Sequence, residues 1–345
     1  MKLTITKQSL SAALSIIKPA VASRNTIDIL NNVLLRASDS LTLTGSDNTI
    51  SIKTSAVATV DAHGETTVNF QKLSQIVNSL DGDIDIYLEN NFLIIKQGRS
   101  RFKLHTLPAS DFPDLPDISE NTANIQAKEF SAAVSAISHA ASKNDALPIV
   151  TGINVSDQGF IATDGRAMVS VYQASISAPN ITLPVRAAQI VGNFSSDIIV
   201  ANINKNVVNF DIDGTLIKSR LIDGQYPNVT NIVEQELPET ISCDLSAIVS
   251  AVRSVSVIAS DAYRKVTLIS NGDVLTVSSG HTGEEASIDV ACAASCDMDK
   301  SFDANYLLSV LGACVSDELC IEFGADDKPI RIVDGSVTHV LAHVN

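Results

Sequence analysis

The chain has 345 residues, of which 45% are hydrophobic, and it carries a formal net charge of −15. This hydrophobic content excludes global disorder, and the length exceeds what one core supports, so two or three domains are expected. The acidic balance argues against a polyanionic partner unless the charges are unevenly distributed.

Three similar segments recur along the chain and predict equivalent helices. LSAALSII begins at Leu10, FSAAVSAI at Phe130 and LSAIVSAV at Leu245. In each segment, apolar residues fall at positions i, i+3, i+4 and i+7. This spacing predicts a helix with one buried face, repeated three times.

A second recurring segment follows each of these helices. LSQIVNSL begins at Leu73, AAQIVGNF at Ala187 and LLSVLGAC at Leu307, with the same helical spacing. Runs of β-branched residues separated by Asn, Asp and Gly turns come next and predict antiparallel strands. The repeat therefore predicts an α+β fold of three domains, each with two helices packed on a mostly antiparallel sheet. The predicted domains are residues 1–120, 121–240 and 241–345.

The predicted helices are basic, although the chain is acidic. They carry seven basic and three acidic residues, so most of the negative charge lies elsewhere. One interpretation is a set of ordinary solvated helices. The other is a shared helical face that meets the phosphates of a nucleic acid without reading its sequence. The segments counted are 7–22, 71–80, 127–143, 184–194, 244–259 and 302–314.

The sequence contains no pattern of residues typical of catalysis or of metal binding. It has no glycine-rich phosphate loop, no nucleophile elbow and no zinc-protease motif, and Cys292 and Cys296 lack partners at zinc-ligand spacing. Five cysteines without a C-x-x-C pair indicate reduced thiols in a cytoplasmic protein. We therefore expect no cofactor and no metal, and a ring, solenoid or scaffold is favoured over an enzyme.

Four segments together resemble one protein family. They are MKLTITKQSL at the start, GRSRFKLHTLPASDFPDL (98–115), ATDGRAMV (162–169) and SRLIDGQYPNV (219–229). With the threefold repeat, they resemble the bacterial DNA polymerase III β subunit, the sliding clamps, over the whole chain. The resemblance implies a ring of two head-to-tail subunits, with helices lining a hole through which double-stranded DNA passes.

The same resemblance implies a non-catalytic processivity factor. Its expected partners are a second copy of the chain, DNA bound without sequence preference, a replicative polymerase, a clamp loader and other proteins that carry short clamp-binding peptides; no membrane is involved. The alternatives are a clamp-fold scaffold, or a specialised plasmid, phage or repair clamp with an altered peptide pocket and weak DNA loading. A third hypothesis is an enzyme, but no residue pattern in the sequence supports it.

The resemblance also implies which residues of this sequence contact DNA and which bind partner peptides. Each DNA-facing residue has an alternative interpretation as a solvated charge, and Ile232 and Val340 have one as core residues. The expected DNA-binding residues are Arg24, Lys143, Asn144, Arg264 and Lys265 by resemblance, and Arg186 as a basic residue of the predicted helices. The expected pocket for a short QL-x-LF-like peptide, between the second and third domains, comprises Val150, Thr163, Gly165, Arg166, Met168, Pro227, Ile232, Asp303, Tyr306, Val340, Leu341, Ala342, His343 and Val344.

Two departures from the family pattern fall within this pocket. Where the family usually has His-Arg-Leu after Thr-Asp-Gly, this chain has Arg166, Ala167 and Met168. Its last residues, 342–345, read AHVN instead of a methionine-rich ending. These changes remove pocket wall and aliphatic surface, so we expect weaker affinity for the family's usual peptide.

The basic stretch at 98–115 is interpreted as a subunit contact. In a strand, Arg99, Arg101 and Lys103 share one face, while Phe102 and Leu104 share the other. By resemblance, this strand pairs with the third domain of the next subunit, where its basic residues would meet acidic ones. The expected interface residues are Phe102, Leu104, Val257, Ile258, Glu284 and Glu285.

Overall fold

The computed structural model describes residues 1–21, 26–113, 116, 122–176, 180–259, 264–325 and 327–344. Within these residues, each of the six recurring segments forms a helix, as predicted. The helices are α1 (Lys7–Ile17), α2 (Phe70–Ser79), α3 (Ala127–Ile137), α4 (Val185–Gly192), α5 (Thr230–Val233), α6 (Leu245–Val255) and α7 (Ala304–Leu311).

Strands make up most of the remaining regular structure. Those before α5 are β1 (Lys2–Thr6), β2 (Asn32–Ala37), β3 (Leu41–Ser46), β4 (Ile50–Ala56), β5 (Thr59–Ala62), β6 (Gly64–Asn69), β7 (Asp83–Glu89), β8 (Phe92–Gln97), β9 (Ser100–Leu107), β10 (Thr122–Gln126), β11 (Gly152–Ser156), β12 (Gly159–Thr163), β13 (Met168–Gln173), β14 (Ile181–Pro184), β15 (Ile198–Ile203), β16 (Val207–Ile212) and β17 (Thr215–Arg220). Those after it are β18 (Glu239–Asp244), β19 (Lys265–Asn271), β20 (Val274–His281), β21 (Glu284–Ala294), β22 (Met298–Asp303), β23 (Glu318–Phe323), β24 (Ile330–Asp334) and β25 (Val337–Leu341).

The chain divides into two compact units. The first unit comprises Met1–Ala127 and Asn193–Leu221, and the second comprises Lys128–Gly192 and Ile222–Asn345. The first unit contains one antiparallel sheet in the order β10-β15-β16-β17-β4-β3-β2-β6-β9-β8-β7-β1-β5. Pairing of β17 with β4 joins strands from two of the predicted repeats in this sheet. The three-domain division stays a prediction.

The second unit contains the other sheet. Its strand order is β14-β11-β12-β13-β25-β24-β23-β18-β21-β20-β19-β22, and its pairs are antiparallel. Here β13 pairs with β25, so strands of the second and third predicted repeats share one sheet. Helices packed on antiparallel sheets make the molecule an α+β protein, which confirms the predicted fold class.

Several helices begin directly after a strand because a short polar side chain caps the first turn. The Thr6 hydroxyl accepts a hydrogen bond from the Ser9 backbone N–H, and the Asn69 side chain accepts one from that of Lys72. Asp244 and Asp303 cap α6 and α7 in the same way. These caps satisfy N–H groups that have no partner within the helix, and so each strand passes into a helix without a loop.

Helix length also bears on membrane association. In the part of the chain that the structure describes, no helix combines the length and the apolar character needed to span a bilayer.

Candidate functional site

A cavity of about 610 Å³ in the second unit brings together five of the predicted pocket residues. They are Val150, Gly165, Arg166, Met168 and Tyr306. We call it the Tyr306 cavity. Its lining also includes His139, Lys143, Asn144, Leu147, Asp164, Asn305 and Ser309.

One wall of the Tyr306 cavity is the loop between β12 and β13. A carboxylate oxygen of Asp164, Oδ1, accepts hydrogen bonds from the backbone N–H groups of Arg166, Ala167 and Met168 at 2.9–3.0 Å. Gly165 has a φ of +75°, a conformation that glycine adopts at little cost. The Thr-Asp-Gly sequence therefore forms a rigid turn, and this turn presents Arg166 at the protein surface.

Two hydroxyl groups support this turn from behind. The Thr163 hydroxyl donates to the Met168 carbonyl at 2.7 Å and accepts from the Gly165 N–H at 3.0 Å. The Tyr226 hydroxyl accepts from the Thr163 N–H at 3.1 Å and donates to the Gly152 carbonyl at 3.2 Å. Burial raises the pKa of Tyr226, so this hydroxyl keeps its proton.

Helix α7 forms the opposite wall. Asp303 caps this helix, since its carboxylate accepts from the backbone N–H groups of Asn305 at 2.8 Å and of Tyr306 at 3.3 Å. Tyr306 is half-buried, and burial, followed by the nearby negative charge of Asp164, raises its pKa. The Tyr306 hydroxyl therefore stays neutral at physiological pH and offers a ligand both a donor and an acceptor.

A group of polar side chains extends from the cavity into the core: His139 lines the cavity, and Ser170 and His339 are buried behind it. The Ser170 hydroxyl oxygen is 2.8 Å from Nδ1 of His339 and 3.5 Å from Nε2 of His139. Burial lowers the pKa of each histidine to about 4, and for His339 the neighbouring His139 contributes as well. Both imidazoles are therefore neutral at pH 7.

The other predicted pocket residues lie around this region without lining the cavity. Val340 and Leu341 are buried in β25, and Thr163 is buried beneath the turn. Ile232 on α5 is exposed, while Pro227 and Asp303 are half-buried. The Ala342 N–H donates to the Ala167 carbonyl, which attaches the chain after β25 to the same turn. His343 is half-buried, and Val344 is exposed and donates its N–H to the Ser301 carbonyl.

The cavity includes residues that sequence reasoning missed or assigned to another role. Lys143 and Asn144, expected at DNA, line the Tyr306 cavity beside Leu147, whose side chain is 53% exposed. His139 and Ser309 carried no sequence signal, because their roles depend on contacts with residues far away in the sequence.

The remaining DNA-facing candidates are spread along the chain. Arg24 lies outside the described residues. Arg186 is exposed in the first turn of α4, and Lys265 is exposed at the start of β19. Arg264 donates a hydrogen bond from Nη1 to the Asn305 side chain at 3.2 Å, next to the Tyr306 cavity.

Besides the terminal strands of each sheet, part of β9 and part of β21 within the sheets pair on one side only among the described residues. Over Ser100–His105, β9 pairs only with β8, and over Glu284–Val290, β21 pairs only with β20. Phe102 and Leu104 are half-buried, while the residues between and beside them are exposed, which confirms the predicted alternation of faces. Such edges can add a strand from another chain.

The other interface candidates lie near these edges or at a helix end. Glu284 and Glu285 are exposed at the start of β21. Val257 follows α6 and is 81% exposed, with Ile258 half-buried beside it. On β9, Arg101 forms an ion pair of 3.2 Å with Glu89 of the same unit. The unpaired edges and exposed apolar groups leave both regions available to a second chain.

Comparisons with known proteins agree with this architecture. Residues 1–116 match the N-terminal domain of the DNA polymerase III beta subunit, and residues 124–228 match its central domain. The chain belongs to this family. The beta sliding clamp of Caulobacter vibrioides (strain NA1000 / CB15N) is 26% identical over 360 residues, covering 97% of this chain and 96% of that protein. The beta sliding clamp of Bacillus subtilis (strain 168) is 26% identical over 361 residues, covering 96% of this chain and 95% of that protein.

Solved structures of this family have the same fold. The DNA polymerase sliding clamp of Bacillus subtilis superposes with a TM-score of 0.93 at 24% identity, covering 100% of this chain and 99% of that chain. The Caulobacter crescentus pol III beta structure gives a TM-score of 0.93 at 25% identity and covers 100% of both chains. The fold is therefore the sliding-clamp fold over the whole chain.

Proposed function

We propose that this protein is a DNA sliding clamp, a non-catalytic processivity factor that encircles double-stranded DNA and tethers a replicative polymerase. The observation that carries the proposal is the extent of the similarity, since this chain and the curated beta sliding clamps cover each other almost completely. A ring of two subunits holds DNA by topology, so it needs few strong phosphate contacts. This is compatible with the net charge of −15.

The proposed ring is a head-to-tail homodimer. The unpaired edge of β9 would meet the unpaired edge of β21 in the next subunit, which extends one sheet into the other by backbone hydrogen bonds. Phe102 and Leu104 would pack near the exposed Val257 and the half-buried Ile258 of the neighbour. Such a heterologous contact closes a ring when it is made twice.

The Tyr306 cavity is the proposed docking site for short peptides of the polymerase, the clamp loader and other partners. Leu147, Val150 and Met168 supply apolar surface, and Tyr306 and Arg166 supply polar groups beside it. An apolar slot with a few oriented polar groups is typical of peptide recognition. Arg24, Arg186, Arg264 and Lys265 are proposed to approach DNA, and Lys143 and Asn144, which line the cavity, are proposed to do so as well.

Light scattering after gel filtration tests the ring. A mass of two chains at micromolar concentration is the expected result. A stable monomer would instead favour the second candidate function, a clamp-fold scaffold or specialised clamp that does not load on DNA. The specific observation behind that alternative is the presence of Arg166 and Ala167 in the cavity turn, where the family usually has His and Arg.

A further inference from the structure

A second cavity lies on the opposite face of the strands that carry the Tyr306 cavity. Met168 on β13 lines the Tyr306 cavity, whereas Val171 on the same strand and Ile161, its partner on β12, line the second. This follows from the alternation of side chains along a strand. The second cavity has a volume of about 730 Å³, and we call it the acidic groove.

The floor of the acidic groove is apolar and continuous with the core. Val171 and Val229 are buried, and they form one cluster with Val169 and Val340. Ile161 and Val233 pack against this cluster and are only partly buried. The floor therefore offers aliphatic surface that a ligand can cover.

One wall of the groove is held in place by an arginine. Nη1 of Arg331 donates to the backbone carbonyls of Val233 at 2.7 Å and Gln235 at 2.9 Å, at the end of α5. The same guanidinium is ion-paired through Nε with Glu322. This arrangement fixes α5 against the sheet, so the groove is formed before any ligand arrives.

The rim of the groove is acidic. Glu129, Asp157 and Glu234 line it, and no lysine, arginine or histidine is found among its lining residues in the described part of the chain. The Tyr306 cavity differs, because Lys143 and Arg166 line it together with Asp164. The two faces of one sheet thus present cavities of opposite charge.

We propose that the acidic groove binds an extended peptide segment of a partner protein in which an aliphatic side chain is flanked by lysines or arginines. The aliphatic side chain would cover Ile161, Val171 and Val233, and the flanking cations would meet the rim carboxylates. Charge complementarity selects this occupant, since a nucleic acid, an anionic membrane surface or an acidic peptide would be repelled by the rim. The site is separate from the Tyr306 cavity and does not rest on the function proposed for that cavity.

Three fluorescent peptides test this proposal with the full-length protein. Each has a central leucine, flanked on both sides by two lysines, two serines or two glutamates, and binding is measured by anisotropy. We expect the lysine peptide to bind at least about tenfold more tightly than the serine peptide, and less tightly as salt rises.

Two variants and a matched control locate the binding site. The rim variant Glu129→Gln/Asp157→Asn/Glu234→Gln should lose about tenfold in affinity for the lysine peptide, and the floor variant Val233→Ser should also bind less tightly. The control replaces three exposed acids that line neither cavity, Asp297→Asn/Asp299→Asn/Glu318→Gln, and should bind as the wild type does. Circular dichroism checks that each variant is folded.

Three results would overturn the proposal. The first is equal binding of the lysine and serine peptides, and the second is an equal loss in the rim variant and the control. The third is displacement of the lysine peptide by a consensus clamp-binding peptide, because this would place it in the Tyr306 cavity.

Discussion

The imidazole rings of His139 and His339 lie 5.3 Å apart, and both approach the hydroxyl oxygen of Ser170. His139 lines the Tyr306 cavity, and His339 is buried behind it in β25. Asp334 is the nearby charged group that favours the protonated form of His339, but burial and the second imidazole outweigh it. Both rings are therefore neutral at pH 7.

The protein should lose stability in mild acid because of this pair. Folding lowers the pKa of each histidine from 6.5 to about 4, so the unfolded chain binds more protons between these values. The free energy of unfolding should fall as the pH drops from about 6.5 to about 4, by about 3 kcal/mol for each histidine. Urea titrations across this range measure the loss, and the variant His139→Gln/His339→Gln should show a much shallower slope. A stability that is flat between pH 6.5 and 5 would contradict the assignment.

The edge of β9 should be required for dimerisation. The variant Phe102→Ser/Leu104→Ser removes the apolar face of this strand, and the dimer dissociation constant should rise by about 100-fold or more. Sedimentation equilibrium measures the change. Val57→Ser is the matched control, since Val57 is 85% exposed in the same unit and lies outside β9. An intact dimer in the double variant would refute the interface.

Peptide binding should depend on the exposed apolar side chain at the Tyr306 cavity. The substitution Leu147→Asp places a charge where a partner's aliphatic side chain would lie, and affinity for a consensus clamp-binding peptide should fall about tenfold or more. Calorimetry measures the effect, with Val315→Asp as the control at a residue that is 89% exposed and outside the cavity. Unchanged affinity in Leu147→Asp would exclude this cavity as the docking site.

The same titrations test the departures at Arg166 and Ala167. We expect the wild-type chain to bind the consensus peptide weakly, and Ala167→Arg to strengthen binding. If the wild-type chain binds the consensus peptide as tightly as other sliding clamps do, the expected loss of affinity is refuted.

The cysteines should differ strongly in reactivity. Burial, with a smaller contribution from Cys292, raises the pKa of Cys243 to about 12, and burial next to Asp334 raises that of Cys314 to about 12. Cys296 is exposed. Iodoacetamide at pH 8 should therefore label Cys296 first, the half-buried Cys314 more slowly, and Cys243 only after unfolding, as followed by peptide mass spectrometry. Labelling of Cys243 at the rate of Cys296 in the folded protein would contradict this burial.

The local pattern of apolar and polar residues was sufficient to predict the helices and the alternation of exposed and half-buried side chains on β9. Apolar spacing gave the buried face of α1, and the polar and apolar alternation around Phe102 gave the two faces of its strand. Neither prediction needs a contact between residues far apart in the sequence. The resemblance to the family identified the five predicted pocket residues that line the Tyr306 cavity.

Long-range pairing accounts for what the sequence did not predict. Arg101 meets Glu89 because β8 pairs with both β7 and β9, and this brings the first and last strands of the meander within reach of a long side chain. His139 reaches His339 only through the pairing of β13 with β25. The acidic groove also depends on long-range contacts, because α5 and β12, which are far apart in the sequence, both line it.

Retention on DNA tests the central proposal most directly. The protein is loaded by its clamp loader onto a nicked circular plasmid and passed through a gel-filtration column in high salt, before and after the plasmid is linearised. A closed ring predicts co-elution with the circle and loss from the linear form, because only free ends allow it to slide off. Equal retention on both forms, or no retention on the circle, would contradict encirclement.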